Sequence, residues 1–125
     1  MSTKARTKAT IAVVEDDDDV RHSTRLLLES DGYSVQTFDS AEAYLASSLD
    51  HDFLVLDLRL PRLSGQDVLK RLLERDKSLL PVIIVSAESQ QLKERINRPG
   101  LTIILDKPLA GDDLLAAIDK LSGRH

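Results

Sequence analysis

The sequence predicts an α/β protein whose parallel sheet is covered by helices on both faces. Five short apolar segments alternate with segments of helical periodicity, and this alternation is typical of parallel sheets because each crossover runs through a helix. Four of the five segments are rich in β-branched residues and nearly continuous in apolar character, as expected of strands buried on both faces. The 125 residues suit one domain with its own core.

The five apolar segments are the predicted strands, and in chain order they span residues 10–15, 33–38, 52–57, 81–86 and 101–106. The second segment, Y-S-V-Q-T-F, alternates apolar and polar residues more than the others do. Because alternation indicates a strand with one exposed face, this strand is placed at an edge of the sheet.

The first predicted helix spans about residues 18–31, and its start overlaps the end of an acidic run from Glu15 to Asp19. Asp18 is interpreted as its N-cap, and Asp19 as an acid of the first turn, where negative charge favours the helix dipole. Asp17 is either a loop residue at the mouth of a site or a solvated residue. The core-facing positions of this helix are Val20, Thr24, Leu27 and Leu28.

Four further helical patterns follow along the chain. Asp39 and Glu42 stand at capping-box spacing at the start of the second helix. The third helix follows Gly65, the polar fourth covers residues 87–99, and the fifth lies near the end of the chain. Their apolar positions are Val68, Leu69, Leu72 and Leu73 in the third, Leu92 and Ile96 in the fourth, and Leu114, Ala117, Ile118 and Leu121 in the fifth.

Composition excludes several classes of function. The sequence contains no cysteine, which rules out disulfides, thiolate metal sites and cysteine nucleophiles and fits a reducing cytoplasm. The net charge of −4 and the aromatic content of 3% argue against direct binding of nucleic acid. The sequence has no apolar run long enough for a membrane span. Residues 1–9 are interpreted as a disordered basic tail, and residues 10–122 as the domain.

Polar residues stand where the predicted strands end. Glu15 and Asp16 close the first strand, Asp57 ends the third, Ser86 ends the fourth and Lys107 follows the fifth. Ligands of open α/β sheets bind at the carboxyl ends of the strands. We therefore expect three carboxylates, a hydroxyl and an ammonium group to converge at one edge of the sheet.

Such a convergence predicts a cation site that supports phosphoryl transfer. Three close carboxylates cannot all remain ionised without help, and a divalent cation supplies that help. Oxygen ligands favour a hard ion, and retained waters with a phosphate oxygen favour Mg²⁺ over Ca²⁺. One carboxylate can then act as the nucleophile and form an aspartyl phosphate. Lys107 and Ser86 would stabilise the transferring phosphoryl oxygens.

Four segments carry a resemblance that covers nearly the whole chain after the tail, namely V-V-E-D, F-L-V-L-D-L-R-L-P-R-L-S-G, I-I-V-S-A and L-D-K-P-L. In this order and on these strand ends, the sequence resembles the receiver domains of two-component response regulators. The resemblance implies a doubly wound, flavodoxin-like α/β fold. Its five parallel strands have the order 2-1-3-4-5 and are flanked by five helices.

The resemblance also implies a role for each candidate site residue. Asp57 matches the phosphoacceptor, and Ser86 and Lys107 match the family's hydroxyl and lysine positions. Lys107 precedes a proline, and this bond is cis in most such domains. At Ile104 the sequence departs from the family, which usually has Tyr or Phe there. The implied protein ligands of Mg²⁺ are Glu15, Asp16, Asp57 and the backbone carbonyl of Arg59.

These implications predict a domain that takes a phosphoryl group from a histidine kinase or phosphotransfer protein and signals by conformational change, as in a phosphorelay. It would catalyse its own aspartyl phosphorylation and dephosphorylation without turning over an external substrate. A homodimer through the face of the fourth helix, fifth strand and fifth helix is a further expectation. So are a cytoplasmic location and no direct contact with nucleic acid or membrane.

Two rival functions stay open. The pattern D-x-D-x-V at residues 16–20 also fits a small Mg²⁺-dependent phosphatase of the haloacid-dehalogenase type, in which Asp16 would be the nucleophile. The length of 125 residues leaves little room for that larger fold. The second rival is a degenerate receiver that acts only as a binding module, and the complete set of site residues argues against it.

Overall fold

The computed structural model describes residues 9–47, 50–57, 65–74, 80–87 and 101–122. Its strands are β1 (Thr10–Val14), β2 (Ser34–Phe38), β3 (Phe53–Asp57), β4 (Val82–Ser86) and β5 (Thr102–Asp106). Its helices are α1 (Asp18–Ser30), α2 (Ala41–Ala46), α3 (Gly65–Leu73) and α4 (Gly111–Leu121). The fifth predicted helix is therefore α4 here, because the predicted helix over 87–99 lies outside the described residues except for Ala87.

The sheet confirms the predicted topology. Its five strands run parallel in the order β2-β1-β3-β4-β5, so the direction of winding reverses next to β1. The second strand lies at an edge, as its alternating pattern predicts. Strand β5 forms the other edge and is only half-buried along its length. Within the described residues, no helix combines the length and apolar character needed to cross a bilayer.

The core consists of two apolar layers, one on each face of the sheet. Alternate residues of the central strands enter opposite layers, since successive side chains of a strand point to opposite faces. In β1, for example, Ala12 and Val14 pack with α2 and α3, whereas Ile11 and Val13 pack with α1 and α4. All four of these side chains are at most 1% exposed. Burial on both faces explains why the strand segments are nearly continuous in apolar residues.

The start of helix α1 corrects one sequence prediction. Its N-cap is Asp17 and not Asp18: Asp17 has an extended backbone, and its side chain accepts a hydrogen bond of 3.0 Å from the Val20 amide. Val20 lies in the first turn of this helix and is 44% exposed. The predicted core contact of Val20 was therefore wrong, whereas Thr24 and Leu28 are buried as expected.

The end of helix α1 is set by glycine. Gly32 has a φ of 96°, which side chains with a Cβ rarely adopt. The Gly32 amide donates to the Glu29 carbonyl at 3.0 Å, and the Tyr33 amide donates to the Leu28 carbonyl at 3.1 Å. This pair of bonds is a Schellman motif, and it turns the chain directly into β2.

Helix α2 corrects a second prediction. Its N-cap is Ser40, whose hydroxyl accepts a hydrogen bond of 3.1 Å from the Ala43 amide, so the predicted capping by Asp39 was wrong. A helix that begins at Ala41 buries both Ala41 and Tyr44. Packing therefore selects between two adjacent residues that are both good N-caps.

Helix α3 buries part of its predicted apolar face. Val68 and Leu69 are buried as predicted, while the side chains of Leu72 and Leu73 lie outside the described part of the structure.

At the start of the described chain, the Ala9 carbonyl accepts a hydrogen bond of 3.0 Å from the Ser34 amide. The remainder of the predicted tail, residues 1–8, lies outside the described residues.

Candidate active site at the carboxyl ends of the strands

The five polar residues that the sequence predicts at the strand ends do meet at one edge of the sheet. Glu15 follows β1 and donates its amide to the Phe38 carbonyl of β2 at 3.0 Å. Asp57 ends β3 beside β4, and Ser86 ends β4 beside β5. Glu15, Asp57 and Ser86 are 8%, 3% and 3% exposed. Burying polar groups costs free energy unless they are paired. The burial of three polar side chains therefore distinguishes this edge from an ordinary, solvated strand end.

Lys107 is the cationic partner of Asp57. Its Nζ lies 2.9 Å from the Asp57 Oδ1, and the lysine side chain is 33% exposed against 3% for the aspartate. The backbone also holds Lys107 in place, since its amide donates to the Ser86 carbonyl at 3.1 Å. The Lys107–Pro108 peptide bond is cis, as expected from the resemblance. Lys107 thus links the ends of β3, β4 and β5, through its ammonium group to Asp57 and through its backbone amide to Ser86.

Three carboxylates form a group of possible metal ligands. One oxygen each from Glu15, Asp16 and Asp57 lies within 4.8 Å of the others, with Asp16 exposed and the other two buried. A set of oxygen donors that is open on one side suits a hard divalent cation that keeps several waters. The residues present therefore fit the Mg²⁺ ion that the sequence predicts.

The pKa of Glu15 reflects both its burial and its charged neighbours. Burial raises the pKa of Glu15 from 4.5 to about 7. The amide of Asp17, which donates to the Glu15 Oε2 at 3.1 Å, opposes this rise, and so does the charge of Lys107. The neighbouring Asp57 adds to the rise by its hydrogen bond and its charge. A cation bound among these carboxylates would oppose the rise, because it favours the ionised form of Glu15.

The five residues of the acidic run make different contacts in the structure. Glu15 and Asp16 belong to the carboxylate group, whereas Asp17 caps helix α1. Asp18 bonds Arg21, and Asp19 lies in the first turn of the helix as predicted. Sequence reasoning missed the contribution of Arg21, although its spacing of three residues from Asp18 on a helix is a recognisable signal.

Arg59, whose carbonyl the resemblance assigns to the cation, lies outside the described residues. Ile104 is half-buried and packs against the core layer that contains α2 and α3. A cleft of about 950 Å³ also adjoins the acids, and its walls include Val20 and Leu27 of α1 and Pro108 and Leu109 after β5.

Comparison with known proteins places the chain in a family. The profile of the response regulator receiver domain matches residues 11–119. The transcriptional regulatory protein FixJ of Bradyrhizobium diazoefficiens is 34% identical over 116 residues, which cover 90% of this chain and 56% of that protein. The cell cycle transcriptional regulator CtrA of Caulobacter vibrioides is 34% identical over 111 residues, which cover 86% of this chain and 48% of that protein. The chain thus spans about half the length of these curated relatives.

Solved structures agree with this result. Full-length FixJ from B. japonicum superposes with a TM-score of 0.80 at 32% identity, covering 94% of this chain and 59% of that one. The chemotaxis response regulator CheY4 of Vibrio cholerae gives a TM-score of 0.81 at 22% identity, covering 92% and 99%, and supports the fold alone. None of these matches favours the phosphatase alternative. The chain belongs to the response regulator receiver domain family.

Proposed function

We propose that this receiver domain accepts a phosphoryl group on the Asp57 carboxylate, in the presence of Mg²⁺, and passes the signal on by a conformational change. The observation that carries the proposal is the position of Asp57. It is 3% exposed, its Oδ1 lies 2.9 Å from the Lys107 Nζ, and it shares an acidic group with Glu15 and Asp16. A buried carboxylate that is paired with an ammonium group and belongs to a group of possible metal ligands is oriented for nucleophilic attack.

The proposed step is a displacement at phosphorus. An oxygen of the Asp57 carboxylate forms a bond to the phosphorus while the bond from phosphorus to the donor breaks. For a phosphohistidine donor, the imidazole nitrogen leaves with the electron pair and takes up a proton. Transfer of this kind depends on positioning and charge stabilisation more than on covalent help from the protein.

Other residues contribute charge and orientation. Lys107 keeps its ammonium group beside Asp57, where it would balance the phosphoryl oxygens as they arrive. Ser86 stands at the end of the adjacent strand and would donate a hydrogen bond to one of these oxygens. Glu15 and Asp16, with Asp57 and the carbonyl of Arg59, are the proposed Mg²⁺ ligands. When bound, Mg²⁺ would neutralise developing charge on the phosphoryl group.

The rival functions fit the site less well. A phosphatase that used Asp16 would place its nucleophile on an exposed carboxylate, while the buried carboxylate next to Lys107 had no role. A binding module would have no need for a buried acid with a raised pKa, because Glu15 costs stability wherever it is ionised. Phosphoryl transfer accounts for both features.

The proposed donor is a histidine kinase or a phosphotransfer protein, in a phosphorelay that operates in the cytoplasm. The named relatives are transcriptional regulators about twice as long as this chain, so a downstream contact with DNA would belong to other parts of such proteins. We propose no direct nucleic-acid contact for this domain. A homodimer through β5, α4 and the predicted helix over 87–99 is also proposed, and that helix lies outside the described residues except for Ala87.

The test is phosphorylation by a small phosphodonor, with Mg²⁺ or with EDTA, read by intact-mass spectrometry and peptide mapping. The parent protein should gain one phosphoryl group at Asp57 only when Mg²⁺ is present, and Asp57→Asn should gain none. Asp106→Asn is the matched control, because Asp106 is an exposed aspartate that ends the strand next to Ser86. Labelling of Asp57→Asn at the parent rate would refute the assignment, and a label on Asp16 would revive the phosphatase.

A further inference from the structure

Arg21 holds the turn between β1 and α1 from the inside. Its NH1 donates a hydrogen bond of 2.9 Å to the backbone carbonyl of Glu15, six residues earlier in the chain. Its NH2 donates to the carboxylate of Asp18. The Arg21 side chain is 20% exposed, whereas that of Asp18 is 84% exposed. One guanidinium therefore joins the end of the strand to the first turn of the helix.

The bond to Glu15 carries most of the restraint. An ion pair whose acid is solvated, like the one with Asp18, contributes only about 0–1 kcal/mol. The carbonyl bond is instead made by a largely buried, charged donor, and such bonds are shorter and stronger than neutral ones. It fixes the peptide between Glu15 and Asp16, from which both carboxylates project toward Asp57.

We propose that Arg21 is a positioning residue for the cation site: it fixes the β1–α1 turn so that the Glu15 and Asp16 carboxylates converge with Asp57, and thereby sets Mg²⁺ affinity. This inference rests on the proposed function, because it takes the carboxylate group as a cation site. Groups that orient metal ligands typically change metal affinity by about 10- to 100-fold when they are removed.

Charge repulsion alone predicts the opposite change in Mg²⁺ affinity when Arg21 is removed. Measuring that affinity therefore tests the inference. A guanidinium near three carboxylates repels an incoming cation, so removing its charge should strengthen Mg²⁺ binding. Removing a positioning group should weaken binding, because the carboxylates no longer converge. The variant Arg21→Met deletes both hydrogen bonds and the charge in one step. Arg25→Met is its matched control, since it deletes a half-buried arginine one turn later whose NH2 lies 3.3 Å from the His22 Nδ1.

The experiment titrates MgCl₂ into each apo protein and measures the heat of binding. Arg21→Met should bind Mg²⁺ about 10- to 100-fold more weakly than the parent, whereas Arg25→Met should bind equally or more tightly. Arg21→Lys, which retains one donor within reach of the Glu15 carbonyl, should recover part of the loss. If Arg21→Met does not fold, Arg21→Gln and Arg25→Gln form the pair that is compared by the same criterion.

A second readout separates positioning from a general structural role. At saturating Mg²⁺, the phosphorylation rate of Arg21→Met with a small phosphodonor should return to that of the parent, with only the half-saturating Mg²⁺ concentration raised. A rate that stays low at every Mg²⁺ concentration would overturn the inference. So would Mg²⁺ affinity equal to or above that of Arg25→Met. If the parent binds no Mg²⁺, the proposed cation site falls as well, so the two failures are distinguishable.

Discussion

The raised pKa of Glu15 predicts that the metal-free protein loses stability as the pH rises. A carboxyl group whose pKa is higher in the folded state than in the unfolded state binds its proton more tightly when folded. Its contribution to stability is therefore fully present below pH 4.5 and is lost as the pH rises through about 7. Substitution by glutamine, which cannot ionise, should remove this dependence.

The expected magnitude follows from the two pKa values. One pKa unit corresponds to about 1.4 kcal/mol. For a pKa that rises from 4.5 to about 7, the free energy of unfolding at pH 8 should be lower than at pH 4 by about 3 kcal/mol through this group alone. Domains of this size are stable by about 5–15 kcal/mol in total, so the effect is a large share. It should resist salt, because Glu15 is buried.

Urea unfolding followed by circular dichroism, in EDTA and at several pH values from 4 to 8, measures the effect. The parent curve should fall through this window relative to that of Glu15→Gln, and Mg²⁺ should restore the parent at pH 8. Glu29→Gln is the matched control, because Glu29 is an exposed glutamate on α1 and its removal should leave the parent's pH dependence intact. Parallel curves for the parent and Glu15→Gln would refute the reasoning.

Three further predictions concern the same elements. Asp16→Lys should abolish Mg²⁺ binding by calorimetry without lowering the melting temperature in EDTA, since it removes one of three clustered carboxylates; a large loss of stability would show a structural role instead. Ser40→Ala should cost about 1 kcal/mol in urea unfolding because it removes the cap of α2, and Asp39→Ala should cost less, whereas the reverse order would restore the capping box. Gly32→Ala should cost about 1–2 kcal/mol, because the φ of 96° strains any residue with a Cβ; an unchanged unfolding midpoint would contradict this.

The sheet was predictable because its strands carry one unambiguous signal. Residues of β3 and β4 are buried throughout, so every position selects an apolar residue until Asp57 and Ser86 end the strands. An uninterrupted apolar segment followed by a polar residue fixes both the strand and its carboxyl end. The convergence of these ends then follows from the geometry of a parallel sheet, so the sequence alone predicts which polar residues meet at this edge.

The helix starts were less predictable because several residues compete for one role. Asp17 and Asp18 are equally good N-caps in isolation, as are Asp39 and Ser40. In α1, the choice falls on Asp17, whose amide is already bound by the Glu15 carboxylate. In α2, it depends on which register buries Tyr44. The burial of Tyr44 is a tertiary contact, which local spacing does not reveal.

The contact between Tyr44 and His51 illustrates the same limit. The structure places the His51 Nε2 2.8 Å from the Tyr44 hydroxyl, with the ring half-buried and edge-on to the tyrosine. The two residues are seven positions apart, on either side of the end of α2, and only the fold brings them together.

The negative charges of the acidic run are compensated in different ways. Each acid outside the carboxylate group has a local compensation, since Asp17 caps a helix, Asp18 pairs with Arg21 and Asp19 faces the positive end of the helix dipole. Among the clustered acids, Asp57 pairs with Lys107, and the remaining repulsion is that between the carboxylates of Glu15, Asp16 and Asp57. Because these three share one cluster at the edge of a sheet held by two apolar layers, their repulsion cannot relax by moving apart cheaply. It can relax by binding a proton or a cation. Binding of either at this cluster should therefore change the stability of the folded domain.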